Sequence, residues 1–520
     1  MLPALGTHPA SDSLPQMPEE TTQTNSGAVK VPPLIQNWIS LSGIILAASS
    51  FFAVVCLIAF DFFAGFSNPY MGILTYLVAP GFLSAGLALI LIGVLLERRR
   101  RRRAVPGQIA RLPRIDFNIP HQRKAFVIVV VISFVFLLFT ALGSYRTYEF
   151  TESVQFCGQT CHAVMQPEFT AYQNSSHARV ACVQCHIGSG ATWFVKSKLS
   201  GSYQVYAALF GKYPRPIPTP VKNLRPAQQT CEQCHWPQKF YGAIEKVRTH
   251  FKYDEKNSPW TVALLLKVGG GDPTHGPVGG IHWHMNVANK VEYIASDDAR
   301  QVIPWVRITD HQGRVTVYEA KAGKLKTDQV TAEAMRRMDC IDCHNRPTHI
   351  FHAPDESVDI SLSLGRIDPT LPSIKKNAVD ALAANYQTAN DAQQKIADAL
   401  SKKYASSDPA TVQRAIVEVQ KIYRENFFPH MKSSWKVYPN NIGHFQWAGC
   451  FRCHDGEHVS TDGKMISADC TSCHTIIAQG PGTDMKTLSA QGFEFQHPSE
   501  DLGDAWKGQK CSECHNGASM

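Results

Sequence analysis

Disulfide bonds are almost excluded by the way this chain of 520 residues uses cysteine. Of its 15 cysteines, 14 form seven pairs, and each pair is followed directly by a histidine. The remaining one, Cys56, lies inside an apolar run, where we expect it to behave as a small buried hydrophobe. No cysteines are left for a disulfide framework, so the chain does not have the composition of a disulfide-stapled secreted domain.

Six of the seven pairs have the form Cys-x-x-Cys-His, the attachment motif of c-type haem. In this motif two thiols form thioethers with the porphyrin, and the adjacent histidine ligates the iron from one side. A seventh group has one additional residue between its thiols. The seven groups are Cys157, Cys161 and His162; Cys182, Cys185 and His186; Cys231, Cys234 and His235; Cys340, Cys343 and His344; Cys450, Cys453 and His454; Cys470, Cys473 and His474; and Cys511, Cys514 and His515.

Structural zinc is the alternative explanation of these cysteines, because zinc sites also use Cys-x-x-Cys pairs. Zinc does not require a histidine directly after the second cysteine in every pair, whereas covalent haem does. We therefore predict seven covalently bound c-type haems. Six haems and an additional cysteine pair, Cys157 and Cys161, are the alternative.

Charged residues are scarce in three stretches near the N-terminus, at 38–63, 71–96 and 125–142. A helix of about 20 apolar residues crosses the roughly 30 Å hydrocarbon core of a bilayer. The third stretch is shorter, but Phe126 and Tyr145 lie where interfacial aromatic residues are expected. Buried helices of a soluble protein have a similar composition, but three in one block favour membrane spans.

Basic residues are missing from the short loop at 61–69 and concentrated after the second span, where Arg98 begins a run of six arginines. The positive-inside rule places residues 98–124 in the cytoplasm and the chain after Leu142 in the periplasm, where bacteria attach c-type haem. Such runs also occur in nucleic-acid-binding proteins, but beside a span they are typical of a topology anchor. The net charge of +8 comes largely from this loop.

The predicted fold is a membrane-anchored multihaem cytochrome c with three transmembrane helices and a mainly α-helical or irregular periplasmic region packed around haems. A β-hairpin is expected from Val302 to Thr309 and from Arg314 to Tyr318. The predicted domains are a disordered cytoplasmic tail (1–32), two spans (33–97), a basic loop (98–124), a third span (125–143), a four-haem domain (144–352), a helical insert (353–430) and a three-haem domain (431–520).

The insert shows apolar residues at helical spacing in three segments, 374–386, 392–404 and 409–426. Pro409 after Asp408 is typical of a helix start. We expect this region to serve as a scaffold or linker between a front group of four haems and a rear group of three.

Low-spin haems need a second axial ligand, usually histidine or methionine. We expect a distal ligand or a structural role for each residue that lies near a motif or in a marked local context. His282 and His284 are expected on one side of an extended segment, where one ligates a haem and the other packs. The candidates are Met165, His177, His250, His282, His284, His349, His444, His458 and His497.

The residues from Ala125 to His352 resemble the NapC/NirT family of membrane-anchored quinol-oxidising cytochromes. The resemblance rests on a span leading into a first motif with Met165 just after it, on His177 shortly before the second motif, and on His349 five residues after His344. The whole plan is similar to that of longer inner-membrane cytochromes of metal-respiring bacteria. This implies menaquinol oxidation at the outer leaflet and electron delivery to periplasmic c-type cytochromes or a terminal reductase.

The first motif departs from the family pattern in its thiol spacing and in the position of Met165, so the resemblance does not fix the ligands of that iron. Family members carry a lysine and an acidic residue near the first haem for quinol binding. The matching residues here are Lys198, beside Lys196, and Gln204, which cannot accept a proton as a carboxylate does. Lys198 is equally compatible with an ordinary interfacial lysine.

Three functions compete at this point. The first is a quinol dehydrogenase of the inner membrane, which passes electrons from menaquinol through seven haems to periplasmic acceptors in anaerobic or metal respiration. The second is a terminal reductase of a nitrogen or sulfur oxyanion with one open haem; the absence of a Cys-x-x-Cys-Lys motif weakens it. The third is a haem-holding or sensing anchor, which has no need of seven haems.

Overall fold

The computed structural model describes residues 34–64, 79–103, 117–124, 126–128, 131, 145–146, 148–160, 162–188, 190–221, 224–236, 240–270, 279–285, 289–482 and 488–518. These residues fall into two compact units, Met1–Ile128 and Val129–Met520.

The first unit contains two long helices, α1 (Trp38–Ala64) and α2 (Ala79–Arg103). Trp38–Cys56 and Ala79–Arg103 are both long and apolar enough to cross a membrane, as the sequence predicted for the first two spans. Helix α2 continues through the arginine run instead of ending before it. The third predicted span, 125–143, lies mostly outside the described residues, so it stays a prediction.

Helices α1 and α2 pack through small residues, which allow their backbones to approach closely. A side chain at Gly43 would overlap the backbone of Gly86 and Ile90. The Ser40 hydroxyl donates a hydrogen bond to the Ile90 carbonyl at 3.2 Å. The expectation that Cys56 is buried is wrong: it lies on an exposed face of α1, because most of this helix surface is left for lipid.

The second unit begins with three helices, α3 (His162–Gln173), α4 (Cys182–His186) and α5 (Ala191–Leu209). Two antiparallel sheets follow, with strand orders β1-β2-β8 and β6-β3-β4-β5-β7. The strands are β1 (Ile244–Phe251), β2 (Pro259–Leu266), β3 (Lys290–Ile294), β4 (Trp305–Thr309), β5 (Val315–Ala320), β6 (Arg336–Arg337), β7 (His458–Ser460) and β8 (His474–Pro481).

The predicted hairpin is confirmed as β4 and β5, paired from Trp305 with Glu319 to Thr309 with Val315. The expectation that it is a small insert is wrong, because these strands lie at the centre of a five-stranded sheet. Strands β7 and β8 come from the rear motif region and pair with β5 and β2. Both sheets therefore join the front and rear haem regions.

The helices of the rear half are α6 (Cys340–Cys343), α7 (Pro354–Ser363), α8 (Ile374–Ala383), α9 (Ala389–Lys403), α10 (Pro409–Asn426) and α11 (Cys511–Cys514). The three predicted insert helices are confirmed as α8, α9 and α10, and α7 was not predicted. The Asp408 carboxylate caps α10 by accepting a hydrogen bond from the Thr411 amide.

The insert is a scaffold with its own apolar core. Val379, Leu382, Ile396 and Val419 are all fully buried. The same core includes Trp435, which follows the insert in the chain, so the insert packs against its neighbours and does not act as a loose linker.

A buried ion pair fastens this insert to the sheet. Lys375 is 1% exposed, and its Nζ donates hydrogen bonds at 2.6 Å to Asp359 Oδ1 and to the carbonyl oxygen of Asp355. Asp359 also accepts from the Phe251 amide at 3.0 Å, and its Oδ2 lies 3.1 Å from His250 Nδ1. Because a buried ammonium needs compensating acceptors, this arrangement fixes α7 and α8 against β1.

Candidate haem-binding sites

Each of the last six motifs folds as a short helical turn at its cysteines. The turns are Cys182–His186, Cys231–Gln233, Cys340–Cys343, Gly449–Arg452, Cys470–Ser472 and Cys511–Cys514. The Asp339 carboxylate caps the turn Cys340–Cys343 by accepting a hydrogen bond from the Ile341 amide at 3.0 Å. Because residues three apart lie on one helix face, such a turn presents both thiols together next to the following histidine.

The first motif contains a π-helical turn, Phe156–Thr160, followed by α3. A π turn accommodates one residue more than an α turn, so it matches the longer spacing between Cys157 and Cys161. Gly158 is required there, because a Cβ would collide with the Phe169 ring. Cys161 and the His162 side chain lie outside the described residues, and Met165 is on the first turn of α3.

Six motif histidines each face a second histidine from elsewhere in the chain. The distances between ring centroids are 6.3 Å for His186 and His349, 6.1 Å for His235 and His177, 6.4 Å for His344 and His282, 5.8 Å for His454 and His284, 6.1 Å for His474 and His444, and 6.1 Å for His515 and His497.

This spacing fits an iron atom between the two rings. An iron held by two imidazole nitrogens at about 2.0 Å each, on opposite sides, separates the ring centroids by about 6.3 Å. Rings in direct van der Waals stacking would lie closer together. The donor sets, a thiol pair and two imidazoles at each site, therefore suit bis-histidine haem.

The hydrogen bonds of several distal rings leave one nitrogen available for a metal. The Nδ1 atoms of His282, His284 and His349 lie 2.6, 2.8 and 2.9 Å from backbone carbonyl oxygens, and that of His177 lies 3.3 Å from one. A carbonyl only accepts, so Nδ1 carries the proton and Nε2 keeps its lone pair. Burial also lowers the pKa of His284, which favours the neutral ring that binds metal.

Two pairs differ from this pattern. The Nδ1 atoms of His444 and His474 are buried and have no hydrogen-bond partner within the part of the chain that the structure describes. The Nδ1 of His497 accepts from the Ser499 amide at 3.2 Å, so its proton is on Nε2. Ligation through Nε2 requires that proton to move and the Ser499 amide to find another acceptor.

His282 and His284 lie in a tight helical turn, Ile281–Met285. The prediction that this segment is extended is therefore wrong. In a turn with about three residues, side chains two apart point in different directions. The two rings therefore face different motif histidines, His344 and His454. Neither of them merely packs beside the other.

Two further candidates do not face a motif histidine. His458 is 1% exposed, and its Nε2 donates to the Ile303 carbonyl at 2.7 Å while Nδ1 lies 2.9 Å from Asp455. Both ring nitrogens are thus occupied, which does not fit the prediction of a distal ligand. His250 binds Asp359, and its ring packs on Phe445, which separates it from the last motif.

Thiols of successive motifs lie next to one another. A hydrogen bond between Cys157 and Cys182 raises the pKa of Cys157 and lowers that of Cys182 to about 7. A second such bond, to Cys340, lowers the pKa of Cys231 to about 6. Burial, and then the charge of Cys231, raise the pKa of Cys185. The first four motifs are therefore neighbours in chain order.

The rear motifs continue this order. Burial raises the pKa of Cys343 to about 12, and the neighbouring Cys450 adds to the rise. Burial and Cys450 likewise raise the pKa of Cys473 to about 11. Burial raises the pKa of Cys511, with Cys470 contributing. All seven motifs thus form one continuous series through the second unit.

A charged pair lies beside the first motif. The Lys198 ammonium donates a hydrogen bond to the Glu152 carboxylate, whose side chain is only 12% exposed. Lys198 Nζ also lies 3.5 Å from the Thr151 hydroxyl and 4.8 Å from the centroid of the Phe194 ring. Both charges act on the pKa of Cys157, although less than Cys182 and burial do, so the pair is close to the first haem-attachment thiol.

Gln204 does not join this pair. Its side chain is exposed, and its Nε2 donates to the Ser200 hydroxyl at 3.2 Å on the same helix. The acidic residue near Lys198 is instead Glu152, which sequence reasoning missed. Glu152 precedes the first motif, whereas the position that matches the family's acidic residue, Gln204, follows Lys198.

Comparison with known proteins identifies the family of this chain. Residues 119–216 match the NapC/NirT cytochrome c family, N-terminal region. The chain is 44% identical over 496 residues to the cytochrome c-type protein ImcH of Geobacter sulfurreducens, covering 94% of this chain and 97% of that protein. The chain belongs to the NapC/NirT family of multihaem c-type cytochromes.

A second relative matches only a short part of the chain. The cytochrome c-type protein NrfH of Wolinella succinogenes is 32% identical over 78 residues, which is 14% of this chain and 44% of NrfH. No solved structure matches. For this NapC/NirT cytochrome, covalent haem, electron transport and membrane anchoring follow from the family, the motifs and the two apolar helices.

Proposed function

We propose that this cytochrome is a quinol dehydrogenase of the bacterial inner membrane. It oxidises menaquinol at the outer leaflet and carries the electrons through seven covalent haems to periplasmic c-type cytochromes or a terminal reductase. Three spans, a cytoplasmic N-terminus and a periplasmic haem region are part of this proposal. The observation that carries it is that six motif histidines each face a second histidine, with ring centroids 5.8–6.4 Å apart.

The proposed distal ligands are the six histidines that face a motif histidine. Each haem, when bound, supplies a one-electron acceptor between its two imidazoles. A site with two protein ligands has no position open for substrate, so these six sites are suited to electron transfer. His458 and His250 are left out of this ligand set because of their hydrogen bonds. The proposed distal ligands are His349, His177, His282, His284, His444 and His497.

Side chains around the ligands hold them in place. The Arg346 guanidinium binds both carboxylate oxygens of Glu168, at 2.9 and 3.2 Å, and donates to the His349 carbonyl at 2.6 Å. Glu168 in turn offers its backbone carbonyl to His349 Nδ1. Such supporting bonds fix the orientation and tautomer of a metal-binding imidazole.

The quinol site is placed at Lys198 and Glu152, next to the first motif. Oxidation of one quinol releases two electrons and two protons, and gives one quinone. Haems bound at the motifs would take the electrons one at a time, and the protons need an acceptor at the quinol hydroxyls. A carboxylate can accept a proton and an amide cannot, so we propose Glu152 in the role that the sequence assigned to Gln204.

Lys198 is proposed to orient the quinol in this site. Its ammonium donates hydrogen bonds and is flanked by the Phe194 ring, so it can orient a quinol oxygen between Glu152 and the first motif. Each proton accepted by Glu152 weakens its bond to Lys198. Because the Lys198 side chain is 38% exposed, the proton has a route to water.

The test is stopped-flow reduction of the full-length holoprotein in liposomes by a menaquinol analogue. The expected result is reduction of all seven haems without an added mediator, followed by reoxidation on adding a periplasmic cytochrome. Reduction by dithionite but not by quinol would contradict the proposal. Turnover of nitrite or a sulfur oxyanion by the isolated protein would favour a terminal reductase instead.

A further inference from the structure

The helix α5 carries an apolar face that no part of the described chain covers. Leu209 is 76% exposed, Leu199 69%, Phe210 66%, Tyr206 43% and Val195 41%. At about 100° per residue, these five positions fall within an arc of about 100°. Ala207, about 60° beyond Phe210 around the helix, is buried. Large side chains at such exposure form a continuous stripe, and an ordinary soluble surface rarely shows one.

The charged side chains that belong to α5 itself are all basic. The 19 residues of α5 contain no aspartate or glutamate. Lys196 lies 4.8 Å from the centroid of the Trp193 ring, and Lys212, just after the helix, donates to the Tyr206 hydroxyl at 2.8 Å. An apolar stripe that includes a tyrosine and has lysines beside it is the composition of helices that lie in the interface of a bilayer.

We infer that α5 lies in the outer surface of the membrane, with Leu199, Tyr206 and Leu209 in contact with acyl chains and its lysines among anionic headgroups. The occupant of the apolar face is therefore lipid. A covering protein would be expected to bring acidic residues to Lys196 and Lys212, whereas anionic phospholipid supplies both the negative charge and the apolar surface.

This placement has a consequence for the proposed function, although it does not depend on it. Lys198 follows Lys196 on the same helix and lies about 100° round the helix from Leu199. A helix lying in the interface would hold the Lys198 and Glu152 pair at the depth of the headgroups. Quinol confined to the bilayer would then reach the pair from the lipid side.

The test uses the full-length holoprotein in vesicles of phosphatidylethanolamine and phosphatidylglycerol. Benzoyl-phenylalanine replaces Leu199 or Leu209, and a control replaces Val417, which is 49% exposed on α10. After irradiation, the first two variants should gain the mass of one phospholipid, and the Val417 variant should not.

Three results would overturn the inference. One is the absence of lipid adducts at both α5 positions; another is cross-linking of these positions to a second copy; the third is cross-linking to another segment of the same chain. Quinol oxidation is measured separately on the same preparations. Lipid adducts with no quinol oxidation would remove the proposed function and leave the membrane-lying helix standing, so the two failures are distinguishable.

Discussion

The ring centroid of His284 lies 5.8 Å from the ring centroid of His454. His284 precedes the helical insert in the chain, and His454 is the first motif histidine after the insert. His282, in the same short turn, faces His344 at 6.4 Å. The turn Ile281–Met285 therefore connects the fourth and fifth sites. A single segment thus brings one histidine to the last of the front four motifs and another to the first of the rear three, as the proposed electron path requires.

Replacement of His284 by alanine should open the fifth haem. Cys450 and Cys453 keep that haem attached, but its iron loses one axial ligand. The reduced variant should bind one more equivalent of carbon monoxide than the wild-type protein, and the oxidised variant should show one additional high-spin haem by electron paramagnetic resonance.

The matched control for this variant is His458→Gln, since both nitrogens of His458 are held by other groups. It should bind no additional carbon monoxide. An unchanged carbon monoxide stoichiometry in His284→Ala, or an increase in His458→Gln, would contradict the proposed ligand set.

The haem-attachment motifs can be recognised in the sequence, but the facing histidine pairs cannot. A thiol pair and its histidine are adjacent in the chain, so a local pattern defines them. His177 and His235, or His284 and His454, are brought together only by the tertiary fold. His458 illustrates why proximity in sequence is not enough to predict a ligand. It lies near a motif, but both of its ring nitrogens are occupied by hydrogen bonds.

The helices of the insert were predictable, but the sheets were not, apart from the hairpin of β4 and β5, and the reason is physical. Helical periodicity in 409–426 is local, and the cap at Asp408 marks its start. Strand β2 pairs with β8, where Leu264 is opposite Ile476, so its partner is remote in sequence. The acidic partner of Lys198 was missed for the same reason, since Glu152 precedes α5 and reaches Lys198 only through the fold.

Replacement of Glu152 by glutamine should slow quinol oxidation by about 10- to 1000-fold, because an amide keeps the size of the side chain but cannot accept the proton. Dithionite should still reduce all haems. The rate is measured by stopped flow with a menaquinol analogue over a range of pH, and the binding of a quinol-site inhibitor is titrated in parallel.

Gln204→Ala is the control, because Gln204 bonds only Ser200 in the structure and should not alter the rate. Lys198→Met should weaken inhibitor binding as well as the rate, since Lys198 orients the ligand. Slowing in Gln204→Ala with normal kinetics in Glu152→Gln would place the acceptor where the sequence first suggested it.

The intact protein should carry seven haems, the first of them on Cys157 and Cys161. The π turn at Phe156–Thr160 gives the longer thiol spacing a regular local structure, so we expect this motif to be used. Intact mass spectrometry should show the chain plus seven haems, and a double variant Cys157→Ser, Cys161→Ser should show six. A wild-type mass with six haems would mean that this cysteine pair is empty.

Replacement of Lys375 by methionine should destabilise the insert. Removing one partner of a buried ion pair leaves the other charge uncompensated and typically costs about 3–5 kcal/mol. The free energy of unfolding is measured by urea denaturation followed by circular dichroism at 222 nm. The adjacent Lys376 forms an exposed pair with Asp380, so Lys376→Met should cost less than about 0.5 kcal/mol. Equal effects of the two variants would contradict the role of burial.

The stability of the insert should also depend on Asp355. Burial raises the pKa of this carboxyl to about 6, although the nearby Lys375 acts in the opposite direction. In the unfolded chain its pKa is about 3.9. At a pH between about 3.9 and about 6, the carboxyl is therefore mostly protonated in the folded state and mostly ionised in the unfolded state. The carboxyl therefore costs stability as the pH rises from about 4 to about 6, and this cost stays constant above that range.

Replacement of Asp355 by asparagine isolates this effect. The same carboxylate oxygen, Asp355 Oδ1, accepts from Gln446 Nε2 and from the Glu356 amide. The amide oxygen of asparagine can accept both of these hydrogen bonds. The variant should match the wild-type protein near pH 4 and exceed it in free energy of unfolding at pH 7. Urea unfolding of both proteins at the two pH values tests this. A constant difference between them would show that the carboxyl keeps its ordinary pKa in the folded protein.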